Sequence, residues 1–344
     1  MDDRQKLLQA WVNQTLANMS LAEPHGSLLT VSGDASFRRY FRQPVEQGSY
    51  IAVDAPPDKE NSASFVNIAK EWFDQGVNVP QIIHSDLKQG FMLLSDMGDQ
   101  MLFPLLEDGQ ADVYYPKALD SLIAIQQTKY DLPDYDADLL DREMALFTDW
   151  YLAEHLDFKL SRGDQLMLNE TFELLRESAL GQVQVPVHRD YHSRNIMVLA
   201  DDSVGIIDFQ DGVFGPITYD LASLLRDAYI AWPQEQVESW VTLYLEKARY
   251  AGLIGALSND QLMLWFDWMG LQRHLKVVGI FARLSIRDGK SGYMDDIPRT
   301  IKYIRQVSAK YDALTAFNQW LEITFVPFLQ EHGHPVLTLG ETGA

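Results

Sequence analysis

His188-Arg189-Asp190-Tyr191-His192-Ser193-Arg194-Asn195, with Asp208-Phe209 thirteen positions further on, sets a carboxylate, an amide and a second carboxylate at the spacing of phosphoryl-transfer chemistry. A transferring phosphoryl group spreads negative charge over its oxygens, so a protein mainly positions the nucleophile and neutralises charge. Asp190 is the candidate to orient or deprotonate an attacking hydroxyl. Asn195 and Asp208 offer the oxygen donors that magnesium prefers. A single Asp or Asn in a loop is usually a turn residue or a helix cap. Here the joint spacing carries the chemical reading. His188 reads as a hydrogen-bonding support of the loop rather than a base.

Groups so spaced need a hairpin to converge. Pro186-Val187 enters extended, Asn195-Ile196-Met197-Val198-Leu199 leaves as a strand, Ala200-Asp201-Asp202-Ser203 turns, and Val204-Gly205-Ile206-Ile207 returns with Asp208 at its end. Upstream, the spacing predicts a helix over Leu7–Leu21 and short strands at Leu28–Val31, Phe37–Phe41 and Tyr50–Val53. A helix over Phe65–Phe73, with Phe65, Ile68, Ala69 and Trp72 on one face, precedes strands at Ile82–His84 and Phe91–Leu94. From about Asp99 the pattern turns helical, with segments at Tyr114–Gln127, Met144–Leu156, Asp164–Leu180, Tyr219–Ala231, Gln234–Ala251, Asp260–Ile286 and Pro298–Glu322. Ser95-Asp96-Met97-Gly98 reads as a hinge, dividing a nucleotide-binding lobe (1–97) from a catalytic and substrate-binding lobe (98–344). The cleft beside such a hinge is where a nucleotide binds.

Composition bounds the alternatives. With 344 residues, 47% of them hydrophobic, the chain can bury a sizeable core. The net charge of −21, from 28 basic and 49 acidic residues, opposes binding to nucleic acid. The absence of cysteine excludes disulfides, zinc–thiolate sites and thiol catalysis. The charged start Met1-Asp2-Asp3-Arg4-Gln5-Lys6 has no secretory pattern, no stretch is long enough to span a bilayer, and a cytoplasmic protein with no membrane partner is expected. Oligomeric state is not legible.

The small sheet lobe, the hinge, the His188–Asn195 loop, Asp208 and Gly215-Pro216-Ile217-Thr218-Tyr219-Asp220-Leu221-Ala222 together resemble the aminoglycoside phosphotransferase family, over nearly the whole chain. The resemblance implies an α+β, protein-kinase-like bilobal fold, with a small antiparallel-sheet N-lobe and a larger, mostly helical C-lobe. It also implies ATP and Mg2+. The stretches Gly33-Asp34-Ala35-Ser36-Phe37-Arg38-Arg39-Tyr40-Phe41-Arg42, Asp54-Ala55-Pro56-Pro57 and Ile207-Asp208-Phe209-Gln210-Asp211 are similar to those of the anomeric sugar kinases acting on N-acetylmuramate and N-acetylglucosamine. That similarity implies phosphorylation of the anomeric hydroxyl to a sugar 1-phosphate in peptidoglycan recycling. A kinase of a cationic small molecule, of aminoglycoside or choline type, and a catalytically silent nucleotide-binding protein are the rival readings.

Two departures from the kinase pattern stand out. Asp208-Phe209-Gln210 replaces D-F-G but keeps the carboxylate, and the strand Tyr50–Val53 runs into Asp54 where a Lys or Arg is expected. Arg38, Arg39 and Arg42 are candidates for the missing cation, with Lys59 a weaker one, and Arg42 is taken as nucleotide-binding. Period-two alternation puts Arg38 and Arg42 on one face and Arg39 on the other. A solvated edge is the competing reading of these arginines. Gly33 and Ser36, in the turn Ser32–Ser36, are expected over the phosphates. Leu94, Ser95, Asp96 and Met97 are expected to present main-chain groups to adenine.

Glu71, on the small-lobe helix, reads as solvent-exposed. Asp220 reads either as a bond back to the catalytic loop or as a helix N-cap. Asp211 is a candidate for a sugar hydroxyl. Trp265, Trp268, Arg273 and His274 lie on one long helix, where an aromatic face with an Arg suits a sugar bearing a carboxylate; a core stripe is the alternative. Of these, Trp268 and Arg273 are the substrate-binding candidates.

Overall fold

The computed structural model describes residues 2–33 and 37–339. Ser36 thus lies outside the described residues, as do Asp34 and Ala35. In chain order the elements are α1 (Asp3–Asn18), β1 (Leu29–Gly33), β2 (Arg39–Val45), β3 (Gly48–Asp54), α2 (Ser62–Asp74), β4 (Ile82–Asp86), β5 (Phe91–Ser95), α3 (Leu102–Glu107), α4 (Ala111–Gln127), α5 (Ala137–Leu146) and α6 (Arg162–Leu180). There follow β6 (Gln184–Val187), β7 (Ile196–Val198), β8 (Val204–Ile206), β9 (Val213–Pro216), α7 (Tyr219–Leu225), α8 (Gln234–Tyr250), α9 (Asn259–Asp288), α10 (Ile297–Lys310), α11 (Thr315–Trp320) and α12 (Val326–Glu331). They form two compact units, one of Met1–Leu106 with Arg194–Asp211, the other of Glu107–Ser193 with Gly212–Ala344. No helix of the described residues is long and apolar enough to cross a membrane.

In the first unit, β1 to β5 form an antiparallel sheet of order β1-β2-β3-β5-β4. Side chains alternate along each strand, so each strand serves two layers. Phe41, Ala52, Phe91 and Leu93 pack with Leu8, Val12 and Leu16, a stripe at helical spacing along α1. Tyr40, Arg42, Ile51 and Leu94, from the opposite face, line a cavity with Phe65 of α2. Asp54, where a strand cation is expected, is buried and accepts from Arg4 and Arg39. The β4–β5 turn needs glycine at Gly90: its φ is +74°, and a Cβ there would meet Ala55 O at 2.0 Å.

β7 and β8 form the expected hairpin and belong to this same unit. Asn78 fastens it, donating from Nδ2 to Val204 O at 2.9 Å and accepting at its own carbonyl from Ile206 N at 2.8 Å.

The second unit is mostly helical and has α9 along its core. Buried side chains occur on every side of α9 from Met269 to Val278, including Leu271, Leu275 and Val278. Gly279 permits backbone contact: a Cβ there would lie 2.2 Å from the carbonyl carbon of Leu146. At that point α5 passes into a π-helical segment over 147–155, within the span expected to be one helix. The paired strands β6 and β9 complete this unit.

Two expected helices are shorter than their apolar patterns. The one expected to reach Ala231 stops at Leu225, where Arg226 leaves helical geometry and the Asp227 carboxylate accepts from Ser193 N and Oγ and Tyr229 N. The one expected over Pro298–Glu322 breaks at Tyr311, which is extended (φ −122°, ψ 126°) and bonds through its hydroxyl to Asp267. In both places a tertiary bond to a buried carboxylate overrides periodicity.

Candidate active site

The loop after β6 is held by carboxylates behind it. Asp220, fully buried in the first turn of α7, accepts from His188 N at 2.6 Å and Arg189 N at 3.0 Å. Thr218 occupies the N-cap of α7, so of the two roles considered for Asp220 the geometry has the bond to the loop. Burial pushes the Asp220 carboxyl up to about 6, against His188 and the two N–H groups, which favour its charge. The buried His188 ring accepts from Asp190 N through Nδ1 at 3.2 Å, a support role. Asp227 fixes the end of the loop through Ser193.

Arg189 adopts φ +74°, rare for a residue with a side chain, and sends its guanidinium to Glu143 at 2.5 Å. Glu143 also meets Lys276 Nζ at 2.9 Å and the Tyr135 hydroxyl, and Lys276 donates to Tyr219 at 2.8 Å. Burial opposes charge on Glu143, but Lys276 and Arg189 keep its carboxyl below the ordinary range. A buried carboxylate with two cations is stable because each charge has a partner; removing one would leave another uncompensated. This network abuts Asp190. Burial raises the Asp190 carboxyl, yet Lys276, His192, Arg273 and His188 outweigh it and hold the group below its usual value.

In the first unit, Asn195 Nδ2 lies 3.3 Å from Asp208 Oδ2, and Ile207 N bonds Asn195 O at 3.1 Å across the base of the hairpin. Asp208 has φ +68°, a conformation that costs energy and turns its carboxylate out of the strand direction. Gln210, which stands where a kinase has glycine, donates to Asp208 Oδ1 at 2.9 Å, and its carbonyl accepts from Ser64 Oγ of α2 at 2.8 Å. Asn195, Asp208 and Phe209 line the cavity of about 320 Å3 that Leu94, Ser95, Asp96, Met97 and Gly98 line as well.

Arg42 lines that cavity at its hinge end, bonded to Asp96 at 2.5 Å and Asp99 at 2.8 Å. Asp96 also accepts from Ser49 Oγ and Gly98 N, so its side chain braces the hinge from within. Gly33 ends β1 opposite Arg39. Glu71 is exposed, as is Asp211. Trp268 sits edge-on to Tyr311 at 6.0 Å, against the hydrophobic core of the second unit. Arg273 is buried and contributes positive charge at Asp190. His274 is buried, stacked on Tyr303 at 4.8 Å.

Sequence reasoning did not reach Glu143, Lys276 or Asp227, and it noted Gln210 in place of the D-F-G glycine without foreseeing its bond to Asp208. Glu143 lies in α5, just ahead of the helix expected from Met144, and Lys276 lies in α9, where no role was assigned to it. The one available signal was Lys276 itself, which falls within the otherwise apolar run Leu275-Lys276-Val277-Val278.

The model of the phosphotransferase enzyme family (APH) matches residues 27–253. The chain belongs to that family, and it is a phosphotransferase with a protein-kinase-like fold. Among its relatives, the N-acetylmuramate/N-acetylglucosamine kinase of Pseudomonas aeruginosa is 41% identical over 327 residues, covering 93% of this chain and 96% of the relative. The enzyme of the same name from Neisseria meningitidis serogroup B is 42% identical over 294 residues, covering 83% and 87%. A solved choline/ethanolamine kinase family protein from Mesorhizobium loti is similar with a TM-score of 0.60 and 13% identity, covering 90% of this chain and 99% of that one, a likeness of fold alone.

Proposed function

We propose that the protein transfers the γ-phosphoryl group of ATP to the anomeric hydroxyl of N-acetylmuramate or N-acetylglucosamine, giving a sugar 1-phosphate for peptidoglycan recycling. The observation that carries this reading is the Asn195–Asp208 pair, 3.3 Å apart, on the wall of the cavity that the hinge residues also line. The names of the relatives supply the acceptor. Residues 1–97 serve as the nucleotide-binding lobe, with Leu94 to Met97 toward adenine and Gly33, Ser36 and Arg42 as further nucleotide contacts. Residues 98–344 serve catalysis and the acceptor, with Asp211, Trp268 and Arg273 as candidate contacts.

The acceptor oxygen bonds to the γ-phosphorus as the bond from that phosphorus to the β,γ-bridging oxygen breaks, and ADP leaves. Asp190 aims the hydroxyl and takes its proton. A carboxyl held below its ordinary range is a weak base, so the proton moves late and orientation is the larger contribution. Asn195 and Asp208 suit magnesium, which accepts one or two protein oxygens and fills its other positions with phosphate and water. When bound, the ion neutralises charge on the phosphates. Lys276 and Arg273 set positive charge at Asp190, while burial holds the His192 ring down at about 4 and so neutral; the two cations favour an anionic or neutral acceptor over a cationic one.

The test is a panel of acceptors with magnesium and ATP: N-acetylmuramate, N-acetylglucosamine, choline and an aminoglycoside, with phosphorus NMR of each product. Phosphate at the anomeric carbon of an N-acetyl sugar is the expected result. Phosphate at another sugar hydroxyl, or turnover of choline or the antibiotic alone, refutes the proposal.

A further inference from the structure

Phosphoryl transfer needs a cation against the nucleotide phosphates, and β3 presents none toward the cavity. Ile51 lines the cavity and Val53 shares its face, while Asp54 belongs to the other face and is held by Arg4 and Arg39. Arg39 is thereby committed opposite α1, with Asp2 as a further partner. Arg42 is on the cavity face but is neutralised at the hinge by Asp96 and Asp99. Lys59 is exposed, over the ring of Phe37.

Arg38 differs from all of these. It immediately precedes β2, on the cavity face by alternation with Tyr40 and Arg42, and only 5% of it is exposed. Its guanidinium lies 5.4 Å from the centroid of Phe65, which lines the cavity and stacks at 5.0 Å on Phe209, the neighbour of Asp208. Four residues of extended chain, roughly 13 Å, separate Arg38 from Arg42. A nucleotide with its base at the hinge and its phosphates toward Asp208 spans a comparable distance. Glu60, just ahead of α2, stands 3.5 Å from Arg38 Nη2 and accepts from Phe37 N at 3.0 Å. A guanidinium carries five N–H donors in a planar fork, enough to hold a carboxylate and a phosphate together.

We propose that Arg38 is the side chain that contacts the nucleotide phosphates and that Glu60 is its positioning residue, the pair standing in for a strand cation and its helix carboxylate. This rests on the reading of the cavity as a nucleotide site.

The experiment is calorimetric titration of magnesium-ATP and of adenosine into wild type, Arg38→Met, Arg38→Lys, Glu60→Gln and Lys59→Ala. Methionine keeps an apolar stem over Phe65 and removes the charge. For Arg38→Met we expect magnesium-ATP affinity to fall about 10- to 100-fold, the worth of a charge-assisted hydrogen bond, with adenosine affinity unchanged. Lysine restores part of the loss, Glu60→Gln gives a smaller loss confined to ATP, and Lys59→Ala changes neither ligand. An unchanged ratio of ATP to adenosine affinity in Arg38→Met overturns the proposal. So does equal loss of both ligands in that variant, or a phosphate-specific loss in Lys59→Ala. Failure of the wild type to bind magnesium-ATP would instead sink the nucleotide reading itself.

Discussion

Asp190, Asn195 and Asp208 are fixed by different neighbours, and their removal should leave different marks. On the role proposed for Asp190 at the acceptor hydroxyl, Asp190→Ala should lower kcat by about a thousandfold, within the usual range for a general base, and leave ATP affinity nearly unchanged. Asp208→Ala should remove the part of ATP affinity that depends on magnesium; titrating the nucleotide with and without the metal measures it directly. A third residue reports on the fold through pH. Burial holds the His274 imidazole down at about 3 against an ordinary 6.5, so the native ring stays neutral while the unfolded chain takes up a proton below 6.5. Stability from this neutral ring is complete above 6.5 and is lost as the pH falls toward 3, by on the order of 1 kcal/mol per pH unit. Asp220, raised to about 6, works in the opposite sense between 6 and 3.8, because there the native state keeps a proton that the unfolded chain has released. Comparing wild type with His274→Gln cancels the Asp220 contribution. The stability difference between them, from urea unfolding at pH 7, 6 and 5, should move steadily in favour of the variant as the pH falls.

At the scale of elements, the close crossing of α9 with the segment beginning at Leu146 is the most demanding contact. A methyl group on Gly279 would overlap backbone, which cannot rotate away as a side chain can. Gly279→Ala should therefore destabilise by about 1–3 kcal/mol or more, as overpacking does, and a thermal melt will show it. The same comparison of elements shows what the residues could and could not disclose. The five strands, α1, α2 and the β7–β8 hairpin were legible because alternation and turn residues are local signals. Of the proposed Asp190, Asn195 and Asp208 set, the approach of Asn195 to Asp208 was legible because both flank that hairpin. The end of α7 at Leu225 and the break at Tyr311 were not, since each depends on a bond between a buried carboxylate and a residue far away in the chain, Asp227 with Ser193 and Asp267 with Tyr311. Glu143 and Lys276 were hidden for the same reason: a charge looks solvated until its partner is known.

For the whole molecule, the charge of −21 is a standing repulsion among carboxylates at the surface. Ionic strength near 0.15 M screens it within roughly 8 Å, so the midpoint of thermal unfolding should rise by a few degrees between about 10 and 150 mM sodium chloride; a fall would mean that attractive pairs dominate. The way the chain is divided has another consequence. Arg194–Asp211 belongs with Met1–Leu106 although the intervening stretch lies in the other unit, and Asn78 bonds to Val204 and Ile206 of that returning hairpin. During synthesis, then, Asn78 emerges from the ribosome 126 residues before Val204, a wait of roughly 6–25 s at ordinary elongation rates of about 5–20 residues per second. Until then the nascent N-terminal fragment is unfinished, and a ribosome paused in this interval would present the five-stranded sheet without its hairpin to chaperones.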